Sequence, residues 1–159
     1  MSGMSKIVKT ITSISFPFIL IYGLYVIVHG HLTPGGGFQG GAIVASACAM
    51  ILVAFGSVWT MDKIKEKHLS VFESTGALVF MLTAILGLIM AGIFFNNFLA
   101  DGGIIFGNEV IAGSNSADIN TAGVIPIMNI GVGLKVIAGL FAIVLVMAFA
   151  TTKMRGDKK

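Results

Sequence analysis

The chain has 159 residues, 56% of them hydrophobic and 11% charged, with a mean hydropathy of +0.98. Soluble domains carry about 25% charged residues, and one this small could not hide so much apolar surface, so the composition points to a lipid-solvated chain. The net charge of +3 is gathered at segment ends rather than along a basic stripe, which excludes a nucleic-acid surface; the single cysteine, Cys48, excludes a disulfide framework and any zinc or iron–sulfur cluster built from several thiolates of this chain. No cofactor is expected on this chain, and any redox chemistry nearby must belong to a partner.

A spanning helix takes about 20 mostly apolar residues. The first such stretch is residues 7–28, preceded by Lys6 and Lys9. It is too long for the apolar region of a signal peptide and no A-x-A-like site closes it, so it is read as an uncleaved first helix. A glycine-rich break follows. The second stretch, residues 41–59, ends on Trp59, placed where an interfacial anchor belongs. The third, residues 71–99, opens on Ser70-Val71-Phe72-Glu73, which has the spacing of a capping box. Residues 101–123 are rich in Gly, Asn and Ser and hold the acids Asp101, Glu109 and Asp118; they read as an extracytoplasmic loop with a short hairpin. The fourth stretch is residues 124–151. The last two exceed what a ~30 Å hydrocarbon core requires, so they tilt or project.

Of the 10 Lys and Arg residues, all but Lys135 fall on one side of this four-span arrangement: before the first stretch, between the second and third (Lys63, Lys65, Lys67), or after the fourth (Lys153, Arg155, Lys158, Lys159). The positive-inside rule then puts both termini and the middle loop in the cytoplasm. The expected fold is an all-α membrane protein, a single domain over residues 1–159, with four transmembrane helices and a glycine-rich break between the first two. No internal repeat is visible, which argues against an inverted-repeat transporter contained in one chain.

Three places carry chemistry. In the segment His29-Gly30-His31-Leu32-Thr33-Pro34-Gly35-Gly36-Gly37-Phe38-Gln39-Gly40-Gly41, glycines and a proline disfavour a regular helix, at about 1 kcal/mol per glycine and 3 per proline. An irregular backbone at membrane depth must be covered by protein or line a polar cavity. Two readings stand: a tight turn whose glycines allow close helix packing, or an ion-coordinating nest at the start of the second helix. No Gly-Lys-Ser/Thr follows, so it is not a phosphate-binding P-loop. His29 and His31 lack a third ligand and form no metal site; a hydrogen-bonding or proton-relay role suits them better.

Lys135 is the only ionisable residue well inside an apolar stretch, and a charge there is a functional candidate by default. The alternatives to a place on a polar path across the membrane are snorkelling of its ammonium towards the outer headgroups, or a structural salt bridge to a partner. Gly131 and Gly139 share its face and suit close helix packing, and Asn129 can hydrogen-bond across helices. Glu73 is read first as the partner of Ser70 in the capping box, and second as an acidic entry residue near the cytoplasmic face.

The run from Gly30-His31 through Pro34-Gly35-Gly36-Gly37-Phe38 to Gly40-Gly41 resembles the G-H-x-x-P-G-G-G-F-x-G-G signature of the B subunit of Mrp-type (Mnh-type) multisubunit sodium/proton antiporters. The four-span layout and the glycine-rich start of the fourth helix extend the resemblance over essentially the whole chain. It implies a non-catalytic subunit of a complex coupling Na+ and H+ movement in a prokaryotic plasma membrane. Its partners would be other antiporter membrane subunits and the lipid bilayer. Lys135, His29, His31, Asn129, Glu73 and the glycine segment would lie on the cation path or at subunit contacts. Homologous B-like subunits occur in archaeal membrane-bound hydrogenases and sulfane sulfur reductases. His29-Gly30-His31-Leu32-Thr33 and Gly133-Leu134-Lys135-Val136 are more similar to those forms, which would add redox subunits as partners. The long loop at 101–123 departs from the family's shorter pattern. The remaining reading is an independent small channel or a structural tetraspan protein.

Overall fold

The computed structural model describes residues 4–100, 105–108 and 119–156. Among these residues five helices follow one another: α1 (Lys6–Val28), α2 (Gly37–Phe55), α3 (Ser57–Lys63), α4 (Glu66–Ala91) and α5 (Ile125–Gly156). No strand occurs among the described residues; Asn108 and Thr121 form an isolated parallel bridge. The fold is all-helical, and α1, α2, α4 and α5 are long and apolar enough to cross a membrane.

The boundaries depart from the sequence reading in ways that have physical causes. Helix α2 begins at Gly37, not Gly41. Within a span no water competes for backbone groups, so the helix is kept despite its glycines. Their absent side chains let neighbouring helices touch. A Cβ on Gly40 would lie 2.5 Å from Ile27 Cγ1 and 2.6 Å from the Gly23 carbonyl; one on Gly41 would lie 2.8 Å from Val136 Cβ. The glycine segment thus does both things a packing turn requires: residues 29–36 turn, and residues 37–41 pack.

Helix α2 stops at Gly56, whose φ of 94° and ψ of 156° suit only glycine, and the chain turns into the short α3. Trp59 is therefore on α3 rather than at the end of the second span, and its ring stacks on Phe55 at 4.7 Å.

Helix α4 starts at Glu66 with Lys65 at its N-cap. The expected capping box at Ser70 does not form, because Glu66, Lys67 and His68 are already helical. Glu and Lys are good helix formers, and they carry the helix out beyond its apolar part. At its other end α4 closes on Gly92, in the left-handed conformation with its N–H bonded to the Leu88 carbonyl. Residues 92–99, assigned from sequence to the third helix, instead form turns. The acids Asp101, Glu109 and Asp118 of the expected outer loop lie outside the described residues.

Helix α5 is the central element, with α2 and α4 packed along it and α1 packed on α2. Ala45, Leu52, Leu69, Phe141 and Leu145 bury one another where α2, α4 and α5 meet. At one end the Met4 amide donates to the Ala54 carbonyl at 2.9 Å, and the hydroxyls of Ser57 and Thr152 lie 3.0 Å apart.

Candidate functional site

Helices α4 and α5 run antiparallel and cross at two glycines. A Cβ on Gly76 would lie 2.5 Å from the Gly131 carbonyl and 2.7 Å from the Lys135 amide nitrogen. Only glycine allows this approach. It places the backbone of Lys135 directly against α4, so its side chain emerges beside that of Glu73, one turn before Gly76. The Lys135 ammonium donates to Glu73 Oε1 at 3.4 Å. The pairing is within the chain, with Glu73 rather than with a partner. The ammonium stays level with α4 and pairs across it.

The depth of this pair follows from helix geometry. Gly76 comes ten residues after the start of α4 at Glu66, and Lys135 ten residues after the start of α5 at Ile125. At 1.5 Å per residue each is about 15 Å from its helix start. The two starts lie at opposite ends of the antiparallel pair. The crossing thus lies within the candidate spans of both helices. Both side chains are only partly covered by this chain, being 50% and 41% exposed. Gly139 continues the same seam, with room for a Cβ 3.5 Å from the Glu73 carboxylate. A lysine and a glutamate held within two spans can accept, hold and pass a proton, or neutralise a passing cation.

A second polar group sits at the α1–α2 turn. Gly36, with φ of 111°, caps α2 without a side chain and packs on Asn129, whose Oδ1 a Cβ there would meet at 3.3 Å. Gly30 and Gly37 also lie against Asn129. The Asn129 Nδ2 and both ring nitrogens of His31 are buried and make no hydrogen bond of good geometry among the described residues. Burial lowers the pKa of His31, and the neighbouring His29 adds to the effect. The backbone groups of Ile119 and Val28 oppose it, close enough to favour the protonated ring. His29 is engaged elsewhere: its ring stacks on Tyr25 at 4.0 Å, and its Nδ1 lies 3.1 Å from the Tyr25 carbonyl. Pro34 and Gly35 are exposed on the turn and Phe38 in the first turn of α2, and Gly40 and Gly41 are buried in helix contacts.

Of the residues singled out from sequence, then, Lys135 and Glu73 are brought together at one level. Asn129 and the glycine segment are brought together at another. Asn97 was missed. Its Oδ1 accepts from the Val124 amide at 2.8 Å and its Nδ2 donates to the Ala122 carbonyl at 3.2 Å, which fixes the entry to α5. The Asn96-Asn97 dipeptide inside a supposed apolar helix was the available signal. Gly76 was missed too, although a glycine inside a span suits close helix packing.

The sequence pattern described as "Domain related to MnhB subunit of Na+/H+ antiporter" matches residues 7–142. The chain belongs to the MnhB family. Its match with an uncharacterised protein of Methanocaldococcus jannaschii is 37% identical over 147 residues, covering 88% of this chain and 52% of that protein. With the putative antiporter subunit mnhB2 of Staphylococcus aureus the identity is 34% over 80 residues, covering 50% of this chain and 56% of the other. Among solved structures, a chain of the membrane-bound sulfane sulfur reductase, an archaeal respiratory membrane complex, superposes with a TM-score of 0.69 at 32% identity. That match covers 92% of this chain and 61% of the other. This MnhB-family chain thus spans little more than half the length of the relatives it matches.

Proposed function

We propose that the chain is a non-catalytic membrane subunit of an Mrp-type module that exchanges sodium for protons, packed among other membrane subunits. The Lys135–Glu73 pair is its contribution to the ion path. The observation that carries this reading is an ion pair between two candidate membrane spans, α4 and α5, with both side chains half-exposed on the surface of this chain. In this reading both termini face the cytoplasm of a prokaryotic cell, as the distribution of Lys and Arg requires. The His31–Asn129 level then faces the outer side.

A second reading is favoured by the likeness to the sulfane sulfur reductase chain. In it the same module is joined to redox subunits, and electron transfer drives ion movement. The chain's own residues do the same work in both. Gentle purification of the complex from native membrane through a C-terminal tag, followed by mass spectrometry, separates the two. Antiporter-type membrane subunits alone support the stand-alone exchanger. Soluble subunits bearing nickel or iron–sulfur clusters support the redox-linked assembly. Recovery of this chain without any other membrane subunit would sink both.

A further inference from the structure

Lys6 and Lys9, three residues apart and so neighbours on the surface of α1, lie at the end of the fold where α2 stops. The Met4 amide donates to the Ala54 carbonyl at 2.9 Å and ties the two helix ends together. The Lys9 ammonium lies 5.6 Å from the centre of the Phe55 ring. Phe55 is the last residue of its candidate span, and its ring stacks on Trp59 of α3. Two cations thus stand beside an aromatic shelf at the level where two spans terminate.

The chain does not neutralise these cations itself. Among the described residues the ion pair is that of Lys135 with Glu73, and neither Lys6 nor Lys9 is paired with a carboxylate. Asp62, three residues from Trp59 on α3, pairs with neither of them. Nor does the end of α2 call on them as caps, since its Leu52 and Ala54 carbonyls already accept from the Gly56 and Met4 amides. The exposed indole of Trp59 adds one N–H donor without an acceptor among the described residues. The hydroxyls of Thr10 and Ser13 are spent on the carbonyls of Lys6 and Lys9. The unmet side-chain groups here are therefore donors, two of them cationic. Further along α1 the exposed large side chains are apolar, with Ile14, Phe18 and Ile21 facing outward.

We infer that Lys6, Lys9 and the Phe55–Trp59 shelf form a binding site for the phosphate of an anionic phospholipid. Unmet donors on cations call for an anion with several acceptor oxygens, which a phosphodiester supplies. The place selects a phosphate carried by lipid, because basic and aromatic side chains at the ends of spans lie at headgroup level. The acyl chains then run along the apolar surface of α1. A zwitterionic headgroup brings its own cation against the lysines, so an acidic lipid is preferred. The inference requires that the chain spans a membrane and is independent of the ion path.

The test is photo-crosslinking in the intact complex, reconstituted into nanodiscs of phosphatidylglycerol and phosphatidylcholine in equal parts. p-Benzoylphenylalanine is placed at Ser13, exposed and about one turn from Lys9, and in a second variant at Ile89, exposed near the far end of α4. Lipid adducts are counted by mass spectrometry. At Ser13 phosphatidylglycerol should exceed phosphatidylcholine by at least about fivefold, the contribution of one lysine at a charged membrane surface. At Ile89 the two should be nearly equal, and Lys6→Gln combined with Lys9→Gln should abolish the preference at Ser13. The comparison of Ser13 with Ile89 decides even where the double variant does not assemble. Equal adducts at Ser13, the same preference at both positions, adducts at Ser13 only to another subunit, or a preference that survives loss of both lysines would overturn the inference. Displacement by inorganic phosphate would also overturn it, by making the free ion the ligand.

Discussion

Lys135 on α5 and Glu73 on α4 are 62 positions apart in the chain and meet at 3.4 Å within the candidate spans of their helices. The contact is made by backbone, not by reach. Gly76 and Gly131 bring the two helices together, and the charged side chains leave the crossing on the same side.

Like charges at this crossing cannot be screened by lipid. Lys135→Glu or Glu73→Lys alone is expected to lower the yield of assembled complex severely, whereas the double exchange recovers a large part of it, because one ion pair is again present between the two spans. Native gel electrophoresis of membranes carrying each variant measures this. Equal yields from the single and double variants would contradict the pairing.

Gly76→Ala should destabilise the chain by about 1–3 kcal/mol, since the added methyl meets backbone rather than a movable side chain. Gly139→Ala should be neutral or slightly stabilising. Its Cβ would lie at ordinary contact distance, 3.5 Å from the Glu73 carboxylate. Thermal unfolding in detergent, compared with the parent chain, gives both values.

The spans were legible in the sequence because lipid imposes a composition. Four apolar stretches could be counted, and Lys135 stood out as the lone intramembrane charge. What could not be read was who meets whom. Ser70 and Glu73 fit a local rule, the capping box, and the local rule was the wrong one because the helix had begun at Glu66. Gly37–Gly41 read as non-helical because propensity is a statement about helices in water. In the structure their missing side chains are the reason α1 and α5 pack so closely on α2. Only the register of α4 against α5, a long-range property, reveals that Glu73 belongs with Lys135.

His31 should give the protein a pH-dependent stability of definite sign. Its pKa in the folded chain lies below the ordinary 6.5 because burial disfavours the charged ring. The unfolded chain therefore binds more protons in that window. Stability is fully present above about 6.5 and is lost as pH falls through the lowered folded value. Melting temperatures between pH 7.5 and about 5 should fall for the parent chain, and the slope should be shallower in His31→Gln. An unchanged slope would remove His31 from the account.

Asn97 holds the start of α5 through two bonds, to the Val124 amide and the Ala122 carbonyl. Asn97→Ala leaves both groups without that partner, at about 1–3 kcal/mol for a buried group. Hydrogen exchange should quicken at the Val124 amide while the amides of Phe141 and Leu145, deep in the core, remain protected.

The central claim is that the Lys135–Glu73 pair lies on the ion path of a multisubunit exchanger. The most direct measurement is sodium-dependent proton movement in inverted membrane vesicles containing the complete complex with Lys135→Ala, its subunit complement checked by mass spectrometry. The account predicts that exchange is lost, or falls at least about tenfold, the loss that about 1.4 kcal/mol represents in a rate, while the subunits remain together. Exchange at the parental rate in an intact complex would contradict it and leave Lys135 and Glu73 a structural pair.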